Sequence, residues 1–129
     1  MKAIILSTSI IFCASAWAGD VGANRACKEI FNSPAAAEQC IGSGASFETI
    51  NGCAQVKIIT TAAEMLGCIR TKASFETINA CQQVGFKAAN YLNTCVETKA
   101  SFVTINGCYK NTVSRKADDI NECIRQATR

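Results

Sequence analysis

A chain of 129 residues holds one domain with a core of its own and leaves no room for a second. Its formal net charge of +3 is too small to point to nucleic acid or an anionic membrane as partner. The absence of His removes Ser-His-Asp and Cys-His catalysis, His-ligated zinc and a His general base.

In chain order, Lys2 is followed by an apolar run from Ala3 to Phe12 and by small residues ending in Ala16-Trp17-Ala18. That grammar matches a secretory signal peptide over residues 1–18, with a mature chain of 19–129 beginning at Gly19. The run is too short to cross a bilayer, which needs roughly 20 apolar residues, and no membrane span is expected later. Ile10-Ile11-Phe12 lack the small residue that a lipoprotein signal carries before its cysteine, so no lipid anchor is expected. Cleavage removes Lys2 and Cys13, the odd member of nine cysteines, and leaves a net charge of about +2. The eight that remain indicate four disulfides and an oxidising compartment, so the expected localisation is secreted or periplasmic.

The first unit, about residues 20–43, is degenerate. Cys27, Ile30 and Phe31 form one apolar stripe, and Ser33-Pro34 reads as an N-cap with proline in the first helical turn. The second unit, about 44–72, contains CIGSGASFETINGC from Cys40 onward, and the pattern returns as CIRTKASFETINAC at Cys68 and CVETKASFVTINGC at Cys95. The three starts are 28 and 27 residues apart, and CIRQATR at Cys123 begins a truncated fourth copy. Such a period marks an array in which each unit buries its faces against its neighbours.

Within each copy Ser46, Ser74 or Ser101 is a good N-cap, and Phe47, Ile50 and Cys53 fall at helical spacing behind the first of them. Glu48 and Glu76 lie in a first turn where the helix dipole favours a carboxylate; Val103 holds that place in the last copy. The partner helix of the second unit opens on Thr61-Ala62-Ala63-Glu64, a capping-box pattern. Lys72 and Lys99 fall near the ends of partner helices, and Gly85 is a stop between helices in the third unit, about 73–99. With the fourth unit, about 100–129, the expected fold is all-α: four disulfide-stapled helical hairpins in a short solenoid-like array, one cysteine per helix.

Two pairing schemes fit this plan. One closes each hairpin, as Cys27–Cys40, Cys53–Cys68, Cys81–Cys95 and Cys108–Cys123. The other links successive units, as Cys40–Cys53, Cys68–Cys81 and Cys95–Cys108. The second keeps the Cys-to-Cys spacing constant but strands Cys27 and Cys123 at opposite ends, beyond the roughly 7 Å a bond allows between Cα atoms. The first is preferred.

No C-x-x-C pair occurs, which argues against a zinc ribbon and a thioredoxin-like site, and Gly42-Ser43-Gly44 lacks the lysine of a phosphate cradle. No catalytic, cofactor or metal residue is assigned, and no enzymatic activity or cofactor is expected. Asn51, Asn79 and Asn106 suit a hydrogen-bond ladder between units, and the small Gly52, Ala80 and Gly107 suit close helix approach. Phe47, Phe75 and Phe102, with Lys72 and Lys99 upstream, form a candidate binding ladder, although their apolar stripe favours core packing. The expected function is a non-catalytic binding module for a protein or cell-surface component, inhibitor- or immunity-like in one variant. The alternatives are a carrier of an apolar ligand held between helices and, third, a secreted carboxylate-dependent hydrolase.

Overall fold

The computed structural model describes residues 21–129; the expected signal peptide, Cys13 and the cleavage point before Gly19 lie outside the described residues. Eight helices and no strand occur among the described residues: α1 (residues 21–30), α2 (Pro34–Gly42), α3 (Phe47–Ala54), α4 (Ala62–Arg70), α5 (Phe75–Val84), α6 (Ala89–Glu97), α7 (Phe102–Asn111) and α8 (Ala117–Thr128). Helices α3, α5 and α7 stack side by side in one layer, and α2, α4, α6 and α8 in the other. Consecutive helices α3–α4, α5–α6 and α7–α8 pack as hairpins across the layers, and a disulfide ties α1 to α2. The architecture is the disulfide-stapled helical repeat array that the cysteine period implies.

Helices α2, α3, α4, α5 and α7 start where a side-chain cap stands. The hydroxyls of Ser46, Ser74 and Ser101 accept from the backbone N–H of Thr49, Thr77 and Thr104, and Ser33 accepts from Ala36 ahead of Pro34. Thr61 and Glu64 form a complete capping box on α4. The turns between hairpins share a device that the repeat encodes. The hydroxyls of Ser43, Thr71 and Thr98 donate to the carbonyls of Cys40, Cys68 and Cys95 at 2.6, 2.7 and 2.6 Å and accept from the N–H of Ala45, Ala73 and Ala100. The next residue is left-handed in every case: Gly44 at φ 73°, Lys72 at 58° and Lys99 at 55°. Gly85 ends α5 at φ 82°, the conformation a glycine adopts without steric cost.

The core is the seam between the layers. Ile50, Ile69, Ile78, Leu92, Ile105 and Ile124 are fully buried there. The disulfides lie along the same seam: Cys27–Cys40, Cys53–Cys68, Cys81–Cys95 and Cys108–Cys123, each with its Cα atoms 5.7 or 5.9 Å apart. Every bond therefore joins the two helices of one hairpin. Between units, burial is supplemented by hydrogen bonds in the second layer. The side-chain amides of Asn93 and Asn121 donate to the carbonyls of Glu64 and Tyr91, each at 3.1 Å.

Candidate functional site

One rim of the array is built from the turns between hairpins, and the five residues of the candidate ladder belong to it. Phe47, Phe75 and Phe102 each occupy the first position of α3, α5 and α7. The apolar stripe favours core packing for these rings, but the structure leaves them 53, 39 and 37% exposed. The reason is positional. A side chain at the first helical residue leans back toward the helix N-terminus, past the seam, and Ile50, Ile78 and Ile105 three residues later fill the core instead.

The rings are anchored from one side. A methyl group on Gly52 would lie 3.2 Å from Cδ1 of Phe75 and 3.1 Å from Cδ1 of Ile78, so the small residue admits the next unit. Phe102 shares a cleft with Ala80, the equivalent small residue one unit on. Nothing lies within 4 Å of the same point on Gly107, where the array ends.

Two polar ladders hold the rim in register, and neither uses the asparagines expected to do so. The hydroxyls of buried Thr49 and Thr77 donate to the carbonyls of Ala73 and Ala100 in the following unit, both at 2.6 Å. Glu48 accepts from the backbone N–H of Phe75 and Glu76 from that of Phe102, both at 2.9 Å. These carboxylates therefore cap the next unit's helix as well as lying in the first turn of their own. Among the described residues, Asn51, Asn79 and Asn106 form no hydrogen bond between units. Val103, in the Glu position of α7, is 77% exposed and has no following helix to cap. The clue in the sequence was the recurrence of Glu and Thr inside SFETIN, of which the Glu alone is lost as SFVTIN in the last copy.

Lys72 and Lys99 stand one residue beyond the C-caps of α4 and α6, exposed and left-handed. Among the described residues neither forms an ion pair. The Lys72 side chain lies back along the rim, its Nζ 3.5 Å from the place a Cβ would take on Gly44. The rim thus carries three partly exposed aromatic rings and two exposed cations, while Glu48 and Glu76 are engaged by backbone N–H groups.

A carboxylate displaced from its ordinary titration, Glu64, lies elsewhere, in the α4 cap. Hydrogen bonds from the Thr60 and Thr61 backbone and side chains hold Glu64 lower, with the Thr60 N–H foremost. All eight cysteines from Cys27 to Cys123 are bonded in pairs, so none offers a free thiolate. No helix of the described residues is long and apolar enough to cross a membrane. Comparison with known proteins finds no matching family model, no matching curated protein and no matching solved structure.

Proposed function

We propose that this protein is a secreted or periplasmic, non-catalytic interaction module that binds a protein or cell-surface component along the Phe–Lys rim. The observation that carries the reading is the persistent exposure of Phe47, Phe75 and Phe102, 53, 39 and 37%, in register on one edge. Solvent-facing aromatic rings on a rigid scaffold are typical anchors of protein interfaces.

The lysines add a second, independent support. A left-handed conformation costs a non-glycine residue about 1–2 kcal/mol. The first copy meets the same need with Gly44, whereas the next two carry Lys72 and Lys99 at φ 58° and 55°. Two cations held at positions that suit glycine better are explained by what their charge does for a partner. Four disulfides fit an oxidising compartment, and they keep the rim rigid, so little ordering entropy is lost on binding.

The test compares the native protein with a Lys72→Gly/Lys99→Gly variant, both immobilised and exposed to the native culture fluid. The substitution relieves backbone strain, so the variant keeps its melting temperature. The expected result is that a component retained by the native protein is lost or strongly depleted on the variant, and also on Phe75→Ser/Phe102→Ser. Identical retention on all three proteins overturns the assignment of the rim.

A further inference from the structure

The opposite rim, made of the turns inside the hairpins, carries a feature that the Phe–Lys reading does not use. Clefts open there between successive hairpins, and the repeat supplies an internal comparison. The cleft between the first and second hairpins, about 350 Å³, is lined by Ile30, Phe31, Ile59 and Met65 with small polar groups and no charged side chain. The one between the second and third, about 460 Å³, holds Glu64 and Lys87 together. The one between the third and fourth, about 290 Å³, is different. Val84, Phe86 and Ile120 make its floor, Tyr109 one wall, and two cations, Lys87 and Arg115, its mouth, with no carboxylate in the lining.

From this we infer that the cleft between the third and fourth hairpins binds a small amphipathic carboxylate: an apolar chain or ring ending in one carboxylate group. The floor takes the apolar part, and the two cations take the head. Lys87 comes from the α5–α6 turn and Arg115 from the α7–α8 turn, so an ammonium and a planar guanidinium fork serve one cleft from separate turns, a fit to the two oxygens of a carboxylate. The Arg115 guanidinium carbon stands 4.8 Å from the centroid of the Tyr109 ring, a cation–π contact that holds the charge beside that wall. Neither cation forms an ion pair among the described residues. The nearby Asp119 carboxylate accepts from the Ser114 hydroxyl at 2.6 Å and is absent from the lining. Arg115 is also left-handed, at φ 57°, a third position where a cation stands in a conformation that favours glycine. At about 290 Å³ the cleft lies at the small end of ligand sites, which span roughly 300–1,000 Å³, so the ligand is small.

The oxidised protein, titrated in solution and followed by NMR, tests this with three probes: octanoate, octanol with the tail but no charge, and acetate with the charge but no tail. Octanoate is expected to produce saturable shifts centred on Val84, Phe86, Tyr109 and Ile120, and to bind at least tenfold more tightly than octanol or acetate. Lys87→Gln and Arg115→Gln are each expected to weaken octanoate about tenfold with the spectrum otherwise native, while Lys57→Gln on the neighbouring turn leaves it unchanged. Equal binding of octanol, shifts centred on Ile30, Phe31 and Met65 instead, or unchanged affinity in both Gln variants overturns the inference. The rim of Phe47, Phe75 and Phe102 is untouched by any of these changes, so the two readings fail separately.

Discussion

At the scale of single residues, the threonine of the SFETIN motif is a controlled experiment supplied by the repeat. Thr77 donates from a buried position to the Ala100 carbonyl, whereas Thr104 has no following unit to meet. Thr77→Val keeps the shape and leaves that carbonyl unpaired, which costs about 1–3 kcal/mol. Thr104→Val removes only a contact with its own cap, Ser101, and costs well under that. Chemical denaturation of the two variants checks the pair; equal losses would remove the threonine ladder as an inter-unit device. Glu64 makes a second prediction. Its pKa is lowered in the folded chain by hydrogen bonds to the ionised carboxylate, with the Thr60 backbone N–H foremost. A lowered folded pKa means the stabilisation is present above the unfolded carboxylate pKa and is lost as pH falls through the folded one. Glu64→Gln is therefore less heat-stable than the native protein near neutrality, and the gap in melting temperature closes below the ordinary carboxylate range. These roles were unequally legible. Thr61 and Glu64 sit three residues apart in one helix start, so spacing alone reveals the box. Glu48 and Phe75 are 27 residues apart, and only the stacking of two hairpins shows that one caps the other.

At the scale of the element, the helices were legible because caps, stops and apolar period agreed: Ser46 with Ile50, Ser74 with Ile78, Gly85 after Val84. The misplaced expectation concerned the phenylalanines, which share the apolar spacing but stand at the first position of their helices, where the side chain leans back past the seam. None of these helices is long enough to persist alone; α2 to α8 span 8 to 12 residues, where an isolated helix needs about 12–15 even with favourable composition. The disulfides offset that weakness. Each closes a loop of 13 to 15 residues, which removes on the order of 3 kcal/mol of unfolded-chain freedom. Complete reduction is therefore expected to abolish most of the helical circular dichroism. Partial reduction has an order as well. Cys123 is the half-exposed member of a bond at the end of the array, while Cys53, Cys68, Cys81 and Cys95 are fully buried. Mild reductant followed by alkylation should label Cys108 and Cys123 before those four. A melting curve unchanged by full reduction would show that the packed seam suffices without its staples.

At the scale of the whole molecule, stability and shape are sums over neighbours. A hairpin touches the one before and the one after it, through Glu48, Thr49 and Gly52 on one side and their counterparts Glu76, Thr77 and Ala80 on the next. The covalent links fall inside hairpins and the contacts between hairpins are noncovalent, a division that digestion can read directly. In denaturant, trypsin cutting after every Lys and Arg leaves, from residues 21–129, cysteine-bearing peptides spanning residues 26–28, 29–57, 58–70, 73–87, 88–99, 100–110 and 117–125. With each hairpin closed on itself, these collect without reductant into three linked sets. The first joins 26–28, 29–57 and 58–70, because no Lys or Arg separates Cys40 from Cys53 and the first two hairpins share a peptide. The second joins 73–87 to 88–99 through Cys81–Cys95, and the third joins 100–110 to 117–125 through Cys108–Cys123. Cuts after Lys72 and Lys99 therefore free the third and fourth hairpins from the rest and from each other. Pairing between units gives the opposite result: 58–70 linked to 73–87, and 88–99 linked to 100–110. Mass spectrometry of the unreduced digest distinguishes the two by peptide mass alone. A Cys68–Cys81 peptide would move the staples to the turns behind Lys72 and Lys99, and with them the rigidity on which the binding rim depends.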